Sequence, residues 1–284
     1  MTSPATDHLI DLALAEDLGG RGDITSAYFI DPDLEVTGRI VSREPCRVAG
    51  PEVAERVFTK VDPGLAVQIE LASGSRAGAG DGVLFVSGKA RSVLTAERTA
   101  LNFLQRLCGV ATMAQRFVDA VAGTPVRILD TRKTTPGWRE LEKAAVRSGG
   151  AENHRMGLYD MAMVKDNYLF AAAGDDRALQ GSIDRLRESF PDVRVELEAD
   201  RLDQVERFLG LSGVDVILLD NMGEAQLREA VAMRGDTAVL LEASGGVNLD
   251  TVRGIAETGI DLISVGALTH SPPSIDLGLD VGIA

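Results

Sequence analysis

The chain reads as an α/β protein in which an open α/β sandwich precedes an incomplete α/β barrel of parallel strands, and two observations predict this. The first is a change of rhythm near Val126. Before it, short alternating stretches (EVTGRIVS, AVQIELAS, VLFVSG) are separated by turn signals such as Asp62-Pro63-Gly64 and Ala79-Gly80-Asp81-Gly82. After it, apolar strands alternate with helical stretches: VRILD, MAMVKD, RVELEAD, DVILLDN, AVLLEASGG and DLISVGA. The second observation is a constant step. Glu198, Asp220 and Glu242 end their strands at intervals of 22 residues, and one more step reaches Ser264 in the next strand. A strand–turn–helix–turn unit of that length implies parallel strands joined by right-handed crossovers. A doubly wound open sheet is the alternative, but no GxGxxG follows a strand.

The elements follow in order. A helical pattern covers residues 8–18, and the alternating stretches then form an antiparallel sheet with helices against it. A long helix is expected over residues 92–107, with Leu94, Leu101, Leu104 and Leu107 on one stripe; Gly109 ends it, and a second helix runs to about residue 121. The expected domains are residues 1–108 for the sandwich and 109–270 for the barrel. Residues 271–284 are a tail that packs back on the first domain.

Composition sets the outer bounds. Of 284 residues, 45% are hydrophobic and 25% charged, which is ordinary for a globular protein. The only cysteines, Cys46 and Cys108, are too few for a disulfide framework and suit a reducing compartment. The acidic N-terminal stretch does not resemble a signal peptide, and no apolar run approaches membrane-spanning length, so a cytoplasmic protein without a membrane partner is expected. The net charge of -14 argues against nucleic acid. Within that acidic chain, the stretch from Arg127 to Lys165 holds eight Lys or Arg against five Asp or Glu. Such an island suits an anionic ligand, although a solvated helix face would account for Arg139, Lys143 and Arg147.

In a parallel barrel the active site lies where the strands end. The strand ends supply Thr131, Arg132 and Lys133; Lys165 and Asp166; Glu198; Asp220 and Asn221; Ser244, Gly245 and Gly246; and Gly266 and Ala267. Strand parity turns Glu196, Glu198, Asp220, Glu242 and Lys165 inward if the apolar alternates face the helices. Four inward acids with one lysine exceed what pairing within the strands needs, so functional use is expected, with Glu196, a layer lower, the more structural. Arg132, Lys133, His154, Arg155 and Lys165 form a basic arc suited to carboxylates, because guanidinium and ammonium groups bind them by charge-assisted hydrogen bonds. The SGG and VGA turns offer backbone N–H groups to a phosphate. Acids beside a phosphate site fit sugar hydroxyls or a magnesium ion between them. His270, after the last strand, is a secondary candidate. Together these residues point to a phosphorylated sugar, an acidic small molecule and magnesium. No metal-type His/Cys spacing occurs.

The motifs TAERTALN, DTRKTTPG, NHR, KDN, ELEAD, LLDN, ASGG and VGALTH occur in the order found in the quinolinate phosphoribosyltransferase family, which the chain resembles over nearly its whole length. The resemblance implies a homodimer or assembly of dimers. It also implies transfer of a phosphoribosyl group from phosphoribosyl pyrophosphate to quinolinate with loss of carbon dioxide, giving nicotinate mononucleotide. By resemblance, Arg132, Lys133, His154, Arg155 and Lys165 hold carboxylates and neighbouring phosphates, with Thr131 beside them. Glu198 and Asp220 lie near the ribose and magnesium, and Lys133, Lys165, Glu198 and Asp220 make up the catalytic set. Ser244, Gly245, Gly246, Gly266 and Ala267 bind phosphate, and Arg98 reaches into the partner subunit's site. Two positions depart from the family pattern: Tyr168 stands where histidine is expected, and Ala243 replaces the more usual serine, removing a hydroxyl. A relative with another acceptor, a Schiff-base lyase using Lys165 or Lys133, and a non-catalytic sensor of a phosphorylated metabolite are the competing readings.

Overall fold

The computed structural model describes residues 3–165 and 176–283, which form two compact units. The first unit comprises residues up to 115 together with 134–150 and those from 268 onward. It opens with the helix Pro4–Leu18, where Ser3 Oγ accepts the Thr6 N–H and proline occupies the first turn. Its strands are β1 (Glu35–Ser42), β2 (Cys46–Arg47), β3 (Ala66–Ile69), β4 (Arg76–Ala77) and β5 (Gly82–Lys89). β1, β5 and β3 form an antiparallel sheet, and the C-terminal strand Leu277–Ile283 completes it beside β1, with Ser42 opposite Leu277 and Val36 opposite Ile283. The helix Pro51–Val61 buries Val53, Ala54, Val57 and Phe58, the stripe that its 3.6-residue period sets on one side.

One sequence expectation needs correction here. The helix does not stop at Gly109; it runs unbroken over 31 residues, Ala90–Ala120. Glycine is needed at 109 for closeness: a Cβ there would lie 2.1 Å from the Pro273 carbonyl oxygen. The helix Arg139–Ser148 joins the first unit; the alternative of a solvated face suits Arg147, which is exposed, but not Lys143, which is fully buried. A polar clasp holds this segment. Glu142, also fully buried, accepts hydrogen bonds from Arg106 Nη2 (2.9 Å), Thr135 N (3.0 Å) and Thr135 Oγ1 (2.9 Å). Arg106 in turn donates to the carbonyls of Thr269 and Pro272. Three segments remote in sequence meet on one ion pair.

The second unit holds residues 116–133 and 151–267. Its strands are β6 (Arg127–Leu129), β7 (Met161–Val164), β8 (Arg194–Ala199), β9 (Val216–Asp220), β10 (Leu240–Ser244) and β11 (Leu262–Ser264). They make one parallel sheet in the order β6-β11-β10-β9-β8-β7. That order is cyclic: the first strand pairs with the last, as in a barrel, whereas a doubly wound sheet would place its first strand inside. Among the described residues β6 and β7 do not pair, so the ring is incomplete. The outer edge of β6 carries Glu152 instead, whose N–H donates to Ile128 O (2.8 Å) and whose carbonyl accepts from Asp130 N (3.1 Å). The intervening helices bury Leu179 and Ile183, Val205 and Phe208, and Leu227 and Ala230. Among the described residues no helix is long and apolar enough to cross a membrane.

Candidate active site

A cavity of about 670 Å³ opens within the second unit, a volume suited to small-molecule ligands. Strand parity built it. Met163 and Lys165, Leu218 and Asp220, and Glu242 and Ser244 all line it, each pair spaced by two residues on one strand, and Glu198 and Ser264 line it from β8 and β11. Thr131, Arg132, Lys133, His154, Arg155, Asn221, Gly245 and Gly246 complete the wall. Of the expected site residues, Gly266 and Ala267 lie at the end of β11 but outside the cavity wall. Arg98 is exposed on the long helix of the first unit, and His270 also belongs to that unit. Asp166 and Tyr168 lie outside the described residues. Met163, Leu218 and Ser264 were not anticipated as wall residues. Extending the parity of Lys165 and Asp220 one layer down would have found Met163 and Leu218, and Ser264 was already reached by the 22-residue step without being read as a wall residue.

The two signs of charge sit on opposite arcs. Arg132, Lys133 and Arg155 come from the ends of β6 and the segment that follows it, and Lys165 follows β7. Lys165 Nζ forms an ion pair with Glu198 Oε2 across the pocket edge. Arg132 Nε is buried with no hydrogen-bond partner among the described residues, an orphaned donor of the kind an anion would satisfy. Arg155 donates to Met161 O (3.1 Å), which holds its guanidinium along β7. Asp130, fully buried, fixes this arc by accepting from Asn153 Nδ2 (2.6 Å) and His154 N (2.8 Å).

His154 lines the cavity and is also tied to protein groups. Its side chain is only 5% exposed, and both ring nitrogens face protein groups. The Arg155 N–H donates to Nδ1 (2.7 Å), while Nε2 lies 3.2 Å from Glu196 and 3.4 Å from Glu242. Burial opposes a charge on the ring, but the two carboxylates outweigh it and draw the pKa up to about 10. Burial also lifts the Glu196 carboxyl above its usual value. Ser264 Oγ donates to Glu242 from the next strand. The trio offers three potential ligand atoms within 4.8 Å, a plausible cation set by composition. Its hydrogen bonding argues otherwise. While Nδ1 accepts the Arg155 amide the ring is neutral and carries its proton on Nε2. Charging it puts a second proton on Nδ1 and breaks that bond, and in both forms Nε2 keeps its proton and has no lone pair for a metal. The trio is a polar floor beneath Arg155, and His154 itself also lines the cavity.

At the acidic arc, Gly245 (φ 95°) and Gly246 (φ 63°) both occupy the left-handed region, which gives the SGG turn its shape. Successive amides in such a turn make a concavity for an anion. Ala243 is 3% exposed and has the opposite parity from Glu242 and Ser244, so a hydroxyl at that position would point away from the cavity. Its departure from the family pattern costs the site no contact. Glu198 and Asp220 present carboxylate oxygens, the hard ligands that suit magnesium.

Residues 23–108 match the quinolinate phosphoribosyl transferase N-terminal domain, and residues 110–280 match its C-terminal domain. The chain belongs to this family. It is 43% identical over 273 residues to a nicotinate-nucleotide pyrophosphorylase [carboxylating] of Mycobacterium leprae, covering 95% of this chain and 94% of that one. Among solved structures it resembles the nicotinate-nucleotide pyrophosphorylases of Francisella tularensis (TM-score 0.91, 33% identity, 99% and 98% of the two chains) and Ehrlichia chaffeensis (TM-score 0.89, 38% identity, 99% of each). The quinolinate phosphoribosyl transferase family therefore covers both units, and the cavity lies in the part matched to its C-terminal domain.

Proposed function

We propose that this chain is a decarboxylating quinolinate phosphoribosyltransferase, converting quinolinate and phosphoribosyl pyrophosphate to nicotinate mononucleotide, pyrophosphate and carbon dioxide, a step of NAD synthesis. The observation that carries this reading is one cavity with a cationic arc, including the orphaned Arg132 Nε, facing two carboxylates and a glycine turn. Arg132, Lys133, Arg155 and Lys165 hold the pyridine dicarboxylate by charge-assisted hydrogen bonds, above the His154 floor. Thr131 and the amides of Ser244, Gly245 and Gly246 take phosphate, with Gly266 and Ala267 as a neighbouring turn. Glu198 and Asp220 face the ribose and would hold magnesium through the donor's diphosphate; the ion, when bound, neutralises charge on the leaving group.

The residues act by position and field. The pyridine nitrogen forms the bond to the anomeric carbon as the C–O bond to pyrophosphate breaks and its electron pair leaves with the oxygen. Glu198 and Asp220 stabilise the positive character that develops on the ribose. The alkylated ring nitrogen is cationic and accepts the electron density released when the adjacent carboxylate leaves as carbon dioxide, after which that carbon takes a proton. No covalent nucleophile is needed, and Lys165, paired with Glu198, serves by charge. With both substrates and magnesium, carbon dioxide and nicotinate mononucleotide should form in equal amounts; lack of quinolinate-dependent carbon dioxide release would reject the reading.

The assembly is a homodimer or a larger assembly of dimers, in the cytoplasm, with exposed Arg98 serving the partner subunit's site and Lys165 its own. Arg98→Ala and Lys165→Ala should each be nearly inactive. After subunit exchange, random pairing makes about half the dimers mixed, each with one intact site, so activity should return to about a quarter of wild type. If mixing with proven exchange restores nothing, the shared site is wrong.

A further inference from the structure

We propose that Asn221 is a positioning residue that fixes the carboxylate of Asp220 and locks it to the glycine turn at Gly245. This rests on the reading of Asp220 as the acid facing the phosphoribosyl donor. Asn221 is the only non-glycine residue with a positive φ (56°) among the described residues. L-residues avoid this left-handed region, and asparagine tolerates it better than most. Such a conformation persists where surrounding bonds impose it, and here three contacts do so. The Asn221 N–H donates to Ser244 O (2.8 Å), which ties the end of β9 to the end of β10. The side-chain Nδ2 donates to Asp220 Oδ2 (2.8 Å). The side-chain oxygen fills the space above Gly245, where a Cβ would meet Oδ1 at 2.1 Å and Cγ at 2.6 Å.

The arrangement has a chemical consequence. Asp220 has no other side-chain hydrogen bond among the described residues, so without the amide its carboxylate is free to rotate. With the amide in place, Oδ2 is occupied and Oδ1 is the oxygen left for a ribose hydroxyl or a cation. The same amide closes Gly245 to any larger residue. Acid and anion turn therefore keep a fixed separation, which a donor bearing both a ribose and a diphosphate requires. If φ alone mattered, glycine would serve at 221 as well or better. The side chain must be what the position needs.

Asn221→Gly separates the two roles, because it keeps the backbone freedom and deletes the amide. Asn221→Asp keeps the size and the left-handed tolerance but puts a second carboxylate beside Asp220, and it carries the test should the glycine variant fold poorly. In full-length protein with quinolinate, phosphoribosyl pyrophosphate and magnesium, both variants should melt within a few degrees of wild type. Their kcat/KM for the phosphoribosyl donor should fall roughly ten- to a hundredfold, as for loss of a hydrogen bond to a charged group. The magnesium concentration for half-maximal rate should rise, while the KM for quinolinate, held on the opposite arc, should stay put. Wild-type donor kinetics in Asn221→Gly would overturn the assignment. Asp220→Asn is the control: if it is inactive while Asn221→Gly is normal, only the role of Asn221 falls. If Asp220→Asn keeps full activity, the role of Asp220 falls as well.

Discussion

Nicotinate offered in place of quinolinate should be used at least a hundredfold less efficiently, judged by kcat/KM. Nicotinate lacks the carboxylate next to the ring nitrogen, so part of the basic arc has no partner. Arg132 Nε is already a buried donor without one, and Lys133, Arg155 and Lys165 line the same wall. Each lost hydrogen bond to a charged group costs about 1.5–3 kcal/mol, and two such losses exceed the roughly 2.7 kcal/mol that a hundredfold represents. A site built to pair a substrate charge rejects the analogue without it more strongly than an apolar pocket rejects a missing methyl. Steady-state rates with each acid at saturating donor measure the ratio. Efficiencies within tenfold of one another would mean that the arc binds something other than the second carboxylate.

Glu142→Ala should be the most destabilising single change in the first unit, at about 3–5 kcal/mol, the usual cost of breaking a buried ion pair from one side. The residue is fully buried and accepts from Arg106 and twice from Thr135, so its loss strands a guanidinium and a backbone N–H together. At about 2–4 °C per kcal/mol for chains somewhat smaller than this one, the melting temperature should fall by roughly 10 °C. Glu142→Gln keeps the shape and one acceptor and should lose less. A melting temperature for Glu142→Ala within about 2 °C of wild type would show that the clasp adds little.

The barrel-like unit was largely legible because its information is local and periodic. A 22-residue step and a two-residue parity are visible without knowing which strands pair, and together they turn Glu198, Asp220, Glu242 and Lys165 toward the cavity they line. The clasp was not legible. Arg106, Glu142 and Thr269 are separated by many residues, and nothing in a helical pattern reveals that Lys143 and Glu142 point inward. Gly109 misled for a related reason: as a local signal it reads as a helix end, while its cause is a carbonyl 164 positions away at Pro273. The contacts of His154 were not legible, since the orientation of one imidazole depends on a neighbouring amide and two buried acids on other strands.

The pairing of β1 with the strand Leu277–Ile283 also sets a timetable for biosynthesis. β1 is complete at Ser42, yet its outer neighbour begins at Leu277. At the usual 5–20 residues per second, the ribosome needs roughly 10–50 s to make the stretch between them. The second unit is interrupted only once, and all of its strands emerge earlier, so it can fold while the first unit still lacks its last strand. For that interval β1 presents unpaired N–H and C=O groups, a template for pairing with a neighbouring nascent chain. Slowed elongation late in the message, or many ribosomes on one transcript, would lengthen this exposure. Synthesis thus exposes to aggregation an edge that the finished molecule no longer displays.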